Sequence, residues 1–88
     1  MLKIQSYKAG ENRVLALSGR IEAENLAQLR LLSEAETGNV KLDLAEVDLV
    51  SREVVLFLEG CEARGIQLKN CPPYVREWII RERGRQTD

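Results

Sequence analysis

The chain has 88 residues, 44% of them hydrophobic and 31% charged, with 13 lysines and arginines against 14 aspartates and glutamates. That length supports one domain, which buries roughly 60–65% of the surface its unfolded chain exposes. The composition excludes a disordered chain, and a formal net charge of −1 excludes the strong positive field that draws proteins to nucleic acid or to anionic membranes.

The first strand is expected where Leu2, Ile4 and Ser6 alternate with Lys3, Gln5 and Tyr7. Ala9-Gly10-Glu11-Asn12 supplies turn chemistry, because Gly and Asn tolerate positive φ. A second strand follows through Val14-Leu15-Ala16-Leu17-Ser18, and so short a connection predicts an antiparallel hairpin. Gly19 breaks the run, and residues 22–35 then read as a helix. Leu26, Leu29 and Leu32 form its inner stripe, flanked by Ala23, Ala27 and Leu31, while Glu24, Gln28, Arg30 and Glu34 remain for solvent. Thr37-Gly38-Asn39 ends this helix, with Gly38 suited to a left-handed C-terminal cap.

Val40, Leu42 and Leu44 alternate with Lys41 and Asp43, which marks a third strand. Residues 45–50 lead to a second helix at about residues 52–64, with Ser51 placed to cap it and Glu53 in its first turn. Val54, Leu58 and Cys61 form a stripe that Val55 and Phe57 widen, and Gly65 closes the helix. Residues 66–70 are a short fourth strand. Pro72-Pro73 opens a last helix, buried through Val75, Trp78 and Ile79, because proline is preorganised for a first helical position. The order β-β-α-β-α-β-α predicts an α/β domain over residues 1–83, with a mixed sheet of about four strands, helices packed on it and a frayed tail at 84–88.

Chemistry-bearing patterns are scarce. There is no histidine, hence neither the commonest general base nor the commonest metal ligand. No Cys-x-x-Cys, phosphate-cradling loop or dinucleotide fingerprint is present, so no catalytic residue, metal or cofactor is expected. Glu22, Glu24, Glu34 and Glu36 fall on polar helix faces or ends; Asp43, which interrupts an apolar strand, reads as a scaffold residue. Cys61 and Cys71 are expected to be reduced thiols: the fourth strand carries the chain about 16 Å from the end of the second helix, whereas a disulfide needs Cα atoms about 4.4–6.8 Å apart. Arg76, Arg81, Arg83 and Arg85 beside Tyr74 and Trp78 resemble a nucleic-acid or membrane surface only until Glu77 and Glu82 are counted, since these break up the field. Ile80 lies off the apolar stripe and leaves self-association as a homodimer open. No apolar run approaches the roughly 20 residues of a membrane span. The opening Met1-Leu2-Lys3-Ile4-Gln5 alternates instead of forming a secretion signal, so the cytoplasm is the expected compartment.

Three segments carry a resemblance. Val14-Leu15-Ala16-Leu17-Ser18-Gly19-Arg20-Ile21-Glu22-Ala23, Val40-Lys41-Leu42-Asp43-Leu44-Ala45-Glu46-Val47 and Leu68-Lys69-Asn70-Cys71-Pro72-Pro73-Tyr74-Val75, in this order, resemble the STAS domain of anti-sigma factor antagonists along nearly the whole chain. The resemblance implies a non-catalytic module that regulates another protein, such as an anti-sigma factor, a kinase-like protein or a larger signalling assembly. Family members carry Asp-Ser-Ser/Thr/Ala-Gly at the start of the second helix, and a kinase phosphorylates the first serine. Counted from Asp43 without a gap, those four positions hold Ser51, Arg52, Glu53 and Val54, and none matches.

The matching position therefore has no phosphoacceptor. A phosphoserine brings about −1.5 to −2 charge to a helix N-terminus, whereas Arg52 fixes a positive one. The sequence leaves two readings of Arg52: a determinant of a surface built by Asp48, Ser51, Arg52 and Glu53 that behaves as permanently unphosphorylated or favours an acidic partner, or a solvated residue paired with Asp48 or Glu53. Ser51 is either a helix cap or, with the alignment slipped by one residue, the kinase acceptor.

Overall fold

A computed structural model describes residues 2–35 and 39–86. Its elements are β1 (Lys3–Ala9), β2 (Asn12–Ile21), a 3-10 turn (Ala23–Asn25), α1 (Leu26–Ala35), β3 (Asn39–Val50), α2 (Arg52–Ala63), β4 (Gln67–Lys69) and α3 (Pro73–Gln86). The four strands form one sheet in the order β1-β2-β3-β4, antiparallel between β1 and β2 and parallel across the two other pairs. The expected α/β class, mixed sheet and element order are those observed.

The alternation in β2 and β3 sends Leu15, Leu17, Val40, Leu42 and Leu44 to one face, where they meet Leu26 and Leu29 of α1 and Val54, Val55, Phe57, Leu58 and Cys61 of α2 in a single core. Val75 and Ile79 of α3 join the same cluster, and Ile4, Leu32 and Trp78 pack at its margin. On the opposite face the register aligns Gln5, Ala16, Asp43 and Lys69 across all four strands, so the uncovered side of the sheet is largely polar.

Several boundaries differ from the sequence reading, each for a local reason. Gly19 does not end β2. It takes φ +89° inside the strand, beside the register shift that separates Gly19 from Arg20. The β2–β3 register also shifts between Ala16 and Ser18, which face Asp43 and Glu46. The Asp43 carboxylate accepts the Ala45 N–H at 3.0 Å there, so residues 45–50 continue β3 through the irregularity. The first helix opens as a 3-10 turn in which the Asn25 side chain accepts the Glu22 N–H at 2.9 Å. In α1, Leu31 is 70% exposed, so it lies outside the buried stripe. The Gly38 cap lies outside the described residues.

Gly65 does close α2. It has φ +95°, its N–H bonds to the Glu62 carbonyl, and the Ile66 N–H bonds back to the Cys61 carbonyl at 2.9 Å, the paired return of a Schellman motif. At the other end, α3 keeps helical geometry to Gln86, past the limit expected at residue 83.

Candidate protein-interaction site

The end of β3 and the start of α2 bring Asp48, Ser51, Arg52 and Glu53 together at one corner of the domain. Asp48, Arg52 and Glu53 are exposed and Ser51 is half-buried. Ser51 occupies the N-cap position, with extended backbone (φ −92°, ψ 170°) and its carbonyl accepting the Val55 N–H at 3.1 Å. Its hydroxyl, however, makes no capping bond. The Oγ atom is buried and has no hydrogen-bond partner among the described residues. Ser51 thus caps by backbone geometry alone.

Arg52 is the first residue of α2, and among the described residues it forms its ion pair with neither Asp48 nor Glu53, the latter acting on it only through its charge. The guanidinium reaches across to α3, where Nε donates to Glu82 Oε2 at 3.2 Å and Nη2 donates to Oε1 at 3.3 Å. Trp78 Nε1 donates to the same Oε2 at 3.3 Å, and Arg85 lies 3.8 Å from it. The Glu82 side chain is 4% exposed, so this carboxylate is an interior group, not part of a solvated polar face. The hydrogen bond from Arg52 is the main reason its carboxyl is held below the usual glutamate range, and the same bond raises Arg52 further. Arg52 therefore brings a charge to the corner that is already matched by a carboxylate, and it offers little pull on an acidic partner.

Tyr74 fixes the corner from the other side. The N-terminus of α3 is set by the Pro72 carbonyl, which accepts the Val75 and Arg76 N–H groups at 3.0 Å each. From the second position of α3, the Tyr74 hydroxyl donates to the Asp48 carbonyl at 2.9 Å. Burial and, secondarily, the Asp48 charge raise the phenol above its ordinary value. Farther along, Arg76 forms a two-pronged pair with Glu62 at 2.8 and 2.9 Å, and Arg83 reaches Glu62 at 2.9 Å and Glu59 at 3.4 Å. The Arg76 bonds are the leading cause that lowers the Glu62 carboxyl. Two of the four α3 arginines named in the sequence, Arg76 and Arg83, are thus held by glutamates of α2, while Arg85 lies beside Glu82 of α3 itself.

Sequence reasoning placed the four corner residues but missed Glu82, Trp78 and Tyr74 as their supports. The available signal was weak: a glutamate four residues after a tryptophan, on the stripe that Val75, Trp78 and Ile79 already define.

Asp43 acts as a tie between strands. Besides the Ala45 N–H it accepts Asn70 Nδ2 at 3.2 Å, and Asn70 holds φ +54° at the exit of β4. Cys61 is buried, Cys71 half-buried, and both are free thiols. Burial pushes each thiol up, and for Cys61 it outweighs the nearby Arg64 and Arg30 guanidinium groups, so neither has the depressed value of a nucleophilic thiolate. Among the described residues no helix is long and apolar enough to cross a membrane.

No family model matches the chain, and neither does any curated protein sequence. Solved structures do. One is the crystal structure of a protein described as Mglu, similar over 78% of this chain with 26% identity and a TM-score of 0.53. The similar region is only 19% of that longer chain.

Proposed function

We propose that the protein is a non-catalytic regulatory module of the STAS type, acting in the cytoplasm by binding another protein at the α2 corner. The observation that carries this reading is positional. The three segments that resemble the family lie in β2 and the turn after it, in β3 and at the passage from β4 into α3, within a mixed four-stranded sheet of element order β-β-α-β-α-β-α. The partner class is a signalling protein such as an anti-sigma factor or a kinase-like regulator. The occurrence of a similar unit inside a much longer protein supports reading this fold as a module that works through attachment or association.

Regulation by phosphate is not part of the reading. Arg52 stands where the acceptor would be, and the Ser51 hydroxyl is buried away from an incoming kinase. With Arg52 matched by Glu82, the exposed charges left at the corner are Asp48 and Glu53, which suit a basic patch on the partner.

Arg52→Glu is a poor test, because it would press a second carboxylate against buried Glu82. The informative variant is Asp48→Lys with Glu53→Lys, which reverses both exposed charges and leaves the Asp48 carbonyl free to hold Tyr74. Affinity capture from the source cells, quantified by mass spectrometry, should lose one specific companion in this variant. Identical sets from wild type and variant would count against the corner as the binding surface. Intact-mass analysis showing a phosphoryl group on Ser51 would overturn the fixed-charge reading.

A further inference from the structure

Helices α1 and α2 leave between them an open groove of about 410 Å³, lined by Arg30 and Glu34 of α1 and by Leu56, Phe57, Gly60 and Arg64 of α2 and its C-cap. None of these residues belongs to the corner discussed above. Two features of the groove have no use inside the folded chain. Gly60 sits in the interior of α2, where a glycine is less stable than an alanine. A Cβ placed on it would meet nothing within 4 Å, so internal packing does not require the glycine. Arg30 and Arg64 flank the same groove, and neither meets a carboxylate within ion-pair distance among the described residues; Arg64 Nη2 makes a long hydrogen bond, 3.8 Å, to the Cys61 sulfur.

We infer that this groove docks an acidic amphipathic helix supplied by a partner protein. Two antiparallel or inclined helices offer a furrow into which a third packs ridge against groove, and a glycine on the floor lets its backbone come closer than any side chain would allow. Leu56 and Phe57 give the apolar floor for one large side chain of the incoming helix. Arg30 and Arg64 place two positive charges at the rim against the single negative charge of Glu34, so carboxylates on the flanks of the incoming helix are matched and a basic helix is opposed.

This site goes beyond the corner proposed above and stands or falls separately from it. The test pans a display library of helical peptides against the whole chain and measures the selected peptides by fluorescence anisotropy. The expected ligands carry Asp or Glu beside one large apolar residue and weaken as salt is raised. Each should lose affinity about tenfold or more on Gly60→Leu, which fills the floor, and on Arg64→Glu. Arg81→Glu, on exposed α3 surface outside the groove, should change nothing. Gly60→Ala is the folding control: it should raise the melting temperature while still weakening the peptide. Ligands that prefer lysine and arginine, ligands indifferent to Gly60→Leu, or no helical ligand at all would overturn the proposal. So would a concentration-dependent dimer in sedimentation equilibrium that Gly60→Leu abolishes, since it would assign the groove to a second copy of the chain.

Discussion

The two faces of α2 treat arginine in opposite ways. Toward α3, Arg52, Arg76, Arg83 and Arg85 each find a glutamate, and the receiving carboxylates of Glu59, Glu62 and Glu82 are mostly shielded from solvent. Toward α1, Arg30 and Arg64 flank an open groove that Glu34 also lines, and neither forms an ion pair among the described residues. Charge matched inside the chain adds to stability and is lost to recognition. Charge left unmatched beside an apolar floor adds little to stability and remains for a partner. Composition alone cannot separate these cases, because the same residue type serves both.

The contrast breaks most sharply at Glu62, which holds both Arg76 and Arg83. Glu62→Ala should destabilise the domain by about 1–3 kcal/mol, less than a fully buried pair because both partners keep some solvent contact. Urea unfolding should show a lower midpoint with an unchanged slope. If the midpoint stays in place, the α2–α3 pairs are decoration and the comparison fails.

Acid should reveal the same face. Glu62 and Glu82 have folded values held below their unfolded ones by the Arg76 and Arg52 hydrogen bonds respectively. A depressed carboxyl contributes stability that is complete above its unfolded value, about 4.3 for glutamate, and is lost as pH falls through the folded value. These two groups should therefore leave stability flat from neutral pH to about pH 5.5 and remove it progressively below about pH 4.3. Glu62→Gln should flatten that acid limb.

Tyr74→Phe asks how firmly α3 secures the corner. The phenol is partly exposed, so loss of its bond to the Asp48 carbonyl should cost about 0.5–1.5 kcal/mol. Hydrogen exchange should accelerate at residues 48–53 more than in the β2–β3 ladder. Uniform acceleration would mean that Tyr74 supports the whole domain and not the corner.

The fold was largely legible because its signals are local. Alternation in residues 40–44 and the Val54, Leu58, Cys61 stripe assign strand and helix without help from distant residues, and the observed core uses them. The extension of β3 to Val50 was not legible, since after the irregularity near Asp43 the buried residues Leu44, Val47 and Val50 recur at steps of three, which does not read as a strand. The corner was half legible. Ser51 and Arg52 announce a helix start, but the group that governs Arg52 lies thirty residues away on α3. Among Arg81, Arg83 and Arg85, Glu82 reads as one more solvated charge; only the packing of Trp78 and Ile79 beneath it turns that position inward.

The smallest expected effect also has the opposite sign. Gly60→Ala fills open space, introduces no contact closer than 4 Å and removes the backbone freedom that glycine gives the unfolded chain. It should stabilise the protein by about 0.5–1 kcal/mol. A residue that lowers stability and serves no internal packing is what a surface shaped for something outside the chain would keep. If Gly60→Ala instead destabilises, the glycine has a structural use within α2, and the groove loses the feature that most distinguishes it from the fully matched face opposite.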